Sequence, residues 1–262
     1  MRPARPLIAL LLALVLLLAG ATPLWAATEE AVLAGGCFWC LEHDLEDLPG
    51  VLEVTSGYSG GKVANPTYRQ VSAGGSGHRE VVRVRFDTTK LRYEKLLRAY
   101  WRNVDPFDGG GQFCDRGASY RPAIFTTNAT QAVEARNSVL AAARELGRPA
   151  SALKVEVKAL SKFWPAEDYH QNYARRNGVK YRYYRWSCGR DRRLDAVWGE
   201  RARSTAAWGG GGGSSGSGSG SSSGSGATSS SAQPPAPTRQ LLDTESMEIL
   251  KVSEATKVPK TP

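Results

Sequence analysis

The stretch between residues 27 and 208 predicts an α+β fold, a layered sheet with helices packed on at least one face. Three observations carry this. Phe38, Leu41, Leu45 and Leu48 recur at i, i+3, i+7 and i+10, one stripe of a helix. Arg79–Phe86 alternates instead, with Val82, Val84 and Phe86 on one side and Val81, Arg83 and Arg85 on the other. The periodic segments succeed one another as β-α-β-β-α-β-α-β, with no internal repeat.

Ala31–Ala34 reads as a buried strand ended by Gly35 and Gly36, and a helix starts at Cys37 and stops at Pro49-Gly50. Val51–Tyr58 is the next strand, followed by a glycine-rich loop through Gly77 and the alternating strand with Glu80 near its start. Leu91–Val104 is a second amphipathic helix, carrying Leu96, Leu97, Tyr100 and Trp101. A loop through Asp108–Gly111, Cys114 and Asp115 leads to a strand at Arg121–Thr127. Asn128 is placed to cap the alanine-rich helix that ends near Gly147. Leu153–Leu160 alternates as a further strand, and Pro165 opens a short helix that Gly178 closes.

The ends read differently. Arg2 and Arg5 precede the apolar run Leu7–Leu18 and small residues up to Ala26, the layout of a signal peptide over 1–26 that exports the protein to the periplasm or beyond, with an uncleaved anchor as the lesser reading. Residues 209–231 hold 10 Gly and 11 Ser, so 209–238, which ends in a proline-rich piece, reads as a flexible linker. Residues 239–262 read as a disordered or short docking tail. At 262 residues the chain has length for two domains, but the trimmed 27–208 suits one.

The formal charge of +9 falls to +7 over that segment, because Arg2 and Arg5 carry two charges and the tail after residue 208 is balanced. No basic stripe or reading motif marks a nucleic-acid binder. The densest cluster, Arg182, Arg185, Arg190, Arg192 and Arg193, reads as a solvated face. His43, His78 and His170 have no metal-ligand spacing, so no metal is expected.

The chemistry concentrates in Gly35-Gly36-Cys37-Phe38-Trp39-Cys40. Two glycines permit a tight strand-to-helix turn, and a cysteine at a helix start meets free amide N–H groups and the positive dipole end, which favour thiolate. With Asn65-Pro66-Thr67-Tyr68, Gly77-His78-Arg79-Glu80, Asp115-Arg116-Gly117 before Ser119-Tyr120-Arg121, and Phe163-Trp164 before Glu167, His170-Gln171 and Tyr173, this segment resembles the peptide methionine sulfoxide reductase A family over roughly residues 30–200.

The resemblance implies a two-layer mixed sheet with packed helices and a ferredoxin-like core. It implies reduction of the S epimer of methionine sulfoxide, free or in proteins, by a monomer with no bound cofactor and a thioredoxin-like dithiol as external reductant. Cys37 is then the nucleophile, Glu80 the acid that protonates the departing oxygen, and Tyr68 and Tyr120 hydroxyl donors to it. Phe38 and Trp39 cradle the substrate methyl, Asp115 orients the polar network and His170 supports it. The sulfenic acid left on Cys37 needs a resolving thiol. Cys188, in a C-terminal segment expected to be mobile, is the first candidate; Cys40, at redox-motif spacing and unlike the commonest family pattern, is the second; Cys114 is the third. Two other classes stand beside this one at the level of sequence: a thiol–disulfide oxidoreductase using Cys37 and Cys40, and a secreted basic binding domain.

Overall fold

In the computed structural model, which describes residues 28–209, six strands form one sheet in the order β7-β6-β1-β3-β2-β8. These are β1 (Thr28–Ala34), β2 (Val51–Ser59), β3 (Arg79–Asp87), β6 (Ala123–Thr126), β7 (Glu156–Ala159) and β8 (Phe163–Pro165); β4 (Gly111–Gln112) and β5 (Asp115–Arg116) make a separate short ladder. Neighbours run antiparallel except β6 and β7, so the sheet is mixed. The period-two pattern fixes the register: Leu33 faces Val82 and Ala31 faces Val84 across β1 and β3, and their side chains fall on one face.

Helices cover that face. They are α1 (Phe38–Glu46), α2 (Tyr68–Ser72), α3 (Tyr93–Trp101), α4 (Ala129–Glu145), α5 (Tyr173–Arg176), α6 (Gly178–Cys188) and α7 (Arg190–Trp198). Ala31, Leu33, Val82, Val84 and Phe86 of the sheet meet Phe38, Leu41 and Leu45 of α1, Leu96, Leu97, Tyr100 and Trp101 of α3 and Leu194 of α7 in one core. Burying a large apolar side chain of this kind stabilises by about 1.5–3 kcal/mol, which is why the helices settle on this face. The opposite face keeps a narrower strip, Val32, Val81 and Phe125, packed by Leu160 and Phe163, while Arg83 lies over the Phe163 ring at 4.7 Å.

Asn128 caps α4 as expected, its side chain accepting from Gln131 N at 2.9 Å. Four expectations change. The glycine-rich loop after β2 contains α2, opened by a capping box in which Thr67 and Gln70 satisfy each other's backbone amides. Pro165 ends β8 instead of opening a helix, and Gly178 starts α6 instead of closing one. Cys188 is not on a loose segment: it is the last residue of α6, with Gly189 in the left-handed conformation behind it. The arginine cluster is only partly solvated, since Arg190 is 1 % exposed and Arg185 is ion-paired to Asp44 and Asp191. The readings of 1–26 and 239–262, and all but the first residue of 209–238, lie outside the described residues. Among the described residues no helix is long and apolar enough to cross a membrane.

Candidate active site

The site forms where β1 ends and α1 begins. Gly36 has φ +84°, and a Cβ there would sit 2.6 Å from the Gln112 side chain, so only glycine permits the turn beside β4. Cys37 is the N-cap of α1 and Phe38 its first residue. The Phe38 amide donates to Glu80 Oε2 at 3.0 Å, and the Cys37 amide donates to the Asp115 carboxylate. Amides left unpaired at the helix start therefore fasten the two acids of the site to the backbone that carries the thiol.

Glu80 is 2 % exposed, and burial pushes its pKa well above the usual carboxylate range, opposed in part by the Phe38 amide, so its surroundings favour the protonated acid. Its carboxyl is hydrogen-bonded to the Tyr120 hydroxyl, which also bonds that of Tyr68. Both phenols are raised, by burial first and then by Glu80, so both remain hydroxyl donors. Burial raises Asp115 as well, while two contacts of 2.8 Å from the Tyr184 hydroxyl fix its carboxylate.

An aromatic wall stands beside the thiol. Phe38 lies 4.9 Å from the His170 ring and 6.5 Å from that of Tyr68. Trp39 stacks on Tyr173 at 3.7 Å and 8°, and its Nε1 donates to His170 Nδ1 at 3.1 Å. Glu167 ties the wall to the sheet, accepting from Tyr58 Oη and from the Tyr68 amide, each at 2.8 Å. Cys37, Phe38, Trp39, Tyr68, Glu80, Asp115, Tyr120 and His170 thus come together in one place.

The deciding observation is agreement with known proteins over this whole unit. A model of the family described as peptide methionine sulfoxide reductase matches residues 29–202. A relative from Rhizobium meliloti (strain 1021), peptide methionine sulfoxide reductase MsrA 2, is 51 % identical over 177 residues, 68 % of this chain and 87 % of its own length. The chain belongs to the peptide methionine sulfoxide reductase A family. The MsrA 2 of Caulobacter vibrioides is also 51 % identical, over 74 % of this chain and 99 % of that one. Methionine sulfoxide reductase A of Corynebacterium diphtheriae, a solved structure, is 32 % identical with a TM-score of 0.55, covering 59 % of this chain and 77 % of that one. The chain is an MsrA-type methionine sulfoxide reductase with an α+β fold of the family's kind.

Within this reductase the thiols depart from expectation. Cys114 and Cys188 are joined in a disulfide, while Cys37 and Cys40 are free, 6 % and 2 % exposed. Cys188 is therefore not the thiol beside Cys37; that thiol is Cys40, one helical turn away and hydrogen-bonded to it. The helix start alone predicts a lowered Cys37, but burial, with Cys40, Asp115 and Glu80 nearby, raises it. Cys40 is lowered by the Cys37 hydrogen bond, with Arg190 and Arg185 acting in the same sense. Cys114, Asp115 and Cys188 bring three ligand-type atoms within 4.8 Å of one another, yet the two sulfurs are spent on each other.

Sequence reasoning named neither Tyr184 nor Tyr58 for the site. Tyr184 follows Tyr173 by eleven positions, beyond the last motif, and only folding of α6 brings it to Asp115.

The disulfide fastens α6 to the loop that carries Asp115. Closing a loop of sequence separation 74, it should contribute about 2–4 kcal/mol. Cys114→Ser should lower the thermal midpoint accordingly; an unchanged melt would show that the staple does not hold the C-terminal helices.

His170 is 2 % exposed, and burial lowers its pKa to about 4 from the model-compound 6.5, against the opposing pull of Glu167. A folded-state pKa below the unfolded one means that the unfolded chain binds the extra proton between these values. The stabilisation is complete above pH 6.5 and is lost as pH falls towards 4, by up to about 3 kcal/mol. The slope of stability against pH in that window should flatten in His170→Phe; an identical slope contradicts a neutral buried His170.

Proposed function

We propose that this chain reduces the S epimer of methionine sulfoxide, free or in proteins, in an exported compartment, through a Cys37 sulfenic acid resolved by Cys40 and recycled by a thioredoxin-like dithiol. The observation that supports it most is one thiol, Cys37, beside a buried carboxyl, Glu80, whose burial favours the protonated form and which is linked to two hydroxyl donors, Tyr120 and Tyr68. Attack at the sulfoxide sulfur builds negative charge on its oxygen, and donors already in place stabilise that charge without reorganising. Glu80 delivers a proton to the oxygen, and the Cys37 proton passes to the Cys40 sulfur hydrogen-bonded to it. Thiol and sulfoxide become sulfenic acid and thioether. Cys40 then forms the S–S bond as the S–O bond breaks, and hydroxyl leaves as water with the proton that Cys40 sheds.

The rings of Phe38 and Trp39 offer an apolar seat for the substrate methyl, and the donors on one side of it set the oxygen's direction. That handedness supports selection of one epimer. Both inner thiols are nearly enclosed, whereas Cys114 is exposed, so a protein reductant meets the Cys114–Cys188 disulfide first and the inner pair only through it or after local opening. The apolar run at Leu7–Leu18 supports export, and a disulfide in the native state suits an oxidising compartment.

Single-turnover assays with each epimer of methionine sulfoxide test the reading. One equivalent of methionine should form from the S epimer in the absence of reductant and little from the R epimer. Equal yields from both would remove the stereochemical assignment, and no yield from either would remove the reaction.

A further inference from the structure

Asp44 follows Cys40 by one helical turn on α1, and on that face two arginines converge from the C-terminal helices. Arg185 of α6 donates to Asp44 Oδ1 at 2.6 Å and to the Tyr181 hydroxyl at 2.9 Å. Tyr181 and Cys40 pack in one buried cluster with Cys37 and Ala174. Arg190 of α7 lies deeper, 1 % exposed, over the Phe113 ring at 4.4 Å. It donates to two carbonyls, Asn103 O at 2.7 Å and Gly35 O at 3.3 Å, and reaches Asp44 Oδ2 at 3.3 Å without a well-aligned hydrogen bond. Its Nε has no partner and is fully buried.

This arrangement is short of negative charge. Arg185 has a second carboxylate, Asp191, half-exposed at 2.7 Å; Arg190 has Asp44 at 3.3 Å, which it shares with Arg185, and otherwise interacts electrostatically with Asp115, itself raised by burial, and with Asp191. Buried charges without a counter-charge are costly, and carbonyl dipoles offset only part of that cost. The groups that face Cys40 are Cys37 and Asp44 on its own helix, Tyr181, Tyr184 and Arg185 on α6, Arg190 on α7 and Glu80 on β3; α5 adds the apolar side of Tyr173 and Ala174. Burial raises Glu80 and both phenols, so among the groups that face Cys40 its own sulfur is the one best placed to carry a further negative charge beside the arginines.

We propose that Arg185 and Arg190 are positioning residues of the second chemical step, their guanidinium charges holding the Cys40 sulfur as the anion that attacks the Cys37 sulfenic acid. The proposal rests on Cys40 being the resolving thiol. In that step Cys40 gives up the proton it took from Cys37, the Cys40–Cys37 S–S bond forms, the S–O bond breaks, sulfenic sulfur is reduced as the Cys40 sulfur is oxidised, and the hydroxyl leaves with that proton as water. The lowered Cys40 thiol and the raised Arg190 agree with this pairing: in Arg190 burial works against the charge, and Cys40 and then Asp44 restore it.

The test uses the full chain with its Cys114–Cys188 disulfide intact and Cys37→Ser, so that Cys40 is the single titrating thiol. Ultraviolet thiolate absorbance against pH should place its midpoint below the ordinary thiol value of about 8.5. Arg190→Met and, separately, Arg185→Met should raise the midpoint by about one pH unit or more, while Arg190→Lys and Arg185→Lys restore most of it. With Cys37 present, disulfide formation after one turnover should slow about tenfold at neutral pH in the Met variants and recover with pH. Arg185, nearer the surface, serves if Arg190→Met does not fold. A midpoint unmoved in a folded Met variant, or raised equally by the Lys variants, overturns the proposal. Failure of the resolver assignment is read separately, from the disulfide that wild-type protein forms after one turnover.

Discussion

Cys37→Ser should abolish methionine formation in a single turnover, a loss on the order of 10^4-fold or more, as expected when the nucleophile itself is removed. The side chain is 6 % exposed at the N-cap of α1, and serine fits the same space without disturbing the core that Phe38 and Leu41 anchor. The variant should fold and keep its Cys114–Cys188 disulfide, so the loss is chemical. Cys40→Ser separates the two halves of the cycle. It should still yield one equivalent of methionine, more slowly because the Cys40 sulfur no longer takes the Cys37 proton, and then stop with Cys37 as sulfenic acid, trappable by a carbon nucleophile. Measurement of methionine and of the trapped adduct in the same samples checks both variants. Substantial turnover by Cys37→Ser would dismiss Cys37 as the attacking thiol.

The second large effect is expected at Glu80. Burial favours its protonated form, and Tyr120 with Tyr68 extends the donor array, so Glu80→Ala should slow sulfenic acid formation by about 10^2–10^3-fold. Glu80→Gln keeps a donor and should lose much less. The difference matters more than either value, because an alanine also opens space where the Phe38 amide finds its acceptor. Rapid-quench measurement of the first turnover decides: equal rates for the Gln and Ala variants would remove proton donation from the role of Glu80.

Much of this site was legible in the sequence because its residues are either adjacent or held by short motifs. Gly36, Cys37 and Phe38 define the turn, and Glu80 begins a strand whose alternation is unmistakable. The capping box Thr67-x-x-Gln70 is equally readable, though the surrounding glycines read as loop. The C-terminal quarter was not legible for a physical reason. Helices α6 and α7 are held by Arg185, Arg190 and Arg193 paired with Asp44, Asp191 and Asp105, and paired arginines give no apolar stripe. The bond between Cys114 and Cys188 depends on that packing, since spacing alone does not determine how four cysteines pair. Once α6 is placed, Tyr184 reaches Asp115, and Cys40, which the sequence left among three candidates, is the free thiol beside Cys37.

The most direct test is mass-spectrometric disulfide mapping of wild-type protein after one turnover with methionine sulfoxide and no reductant. The structure predicts a new Cys37–Cys40 disulfide with Cys114–Cys188 unchanged. A Cys37–Cys188 disulfide with Cys114 released as a free thiol would contradict it.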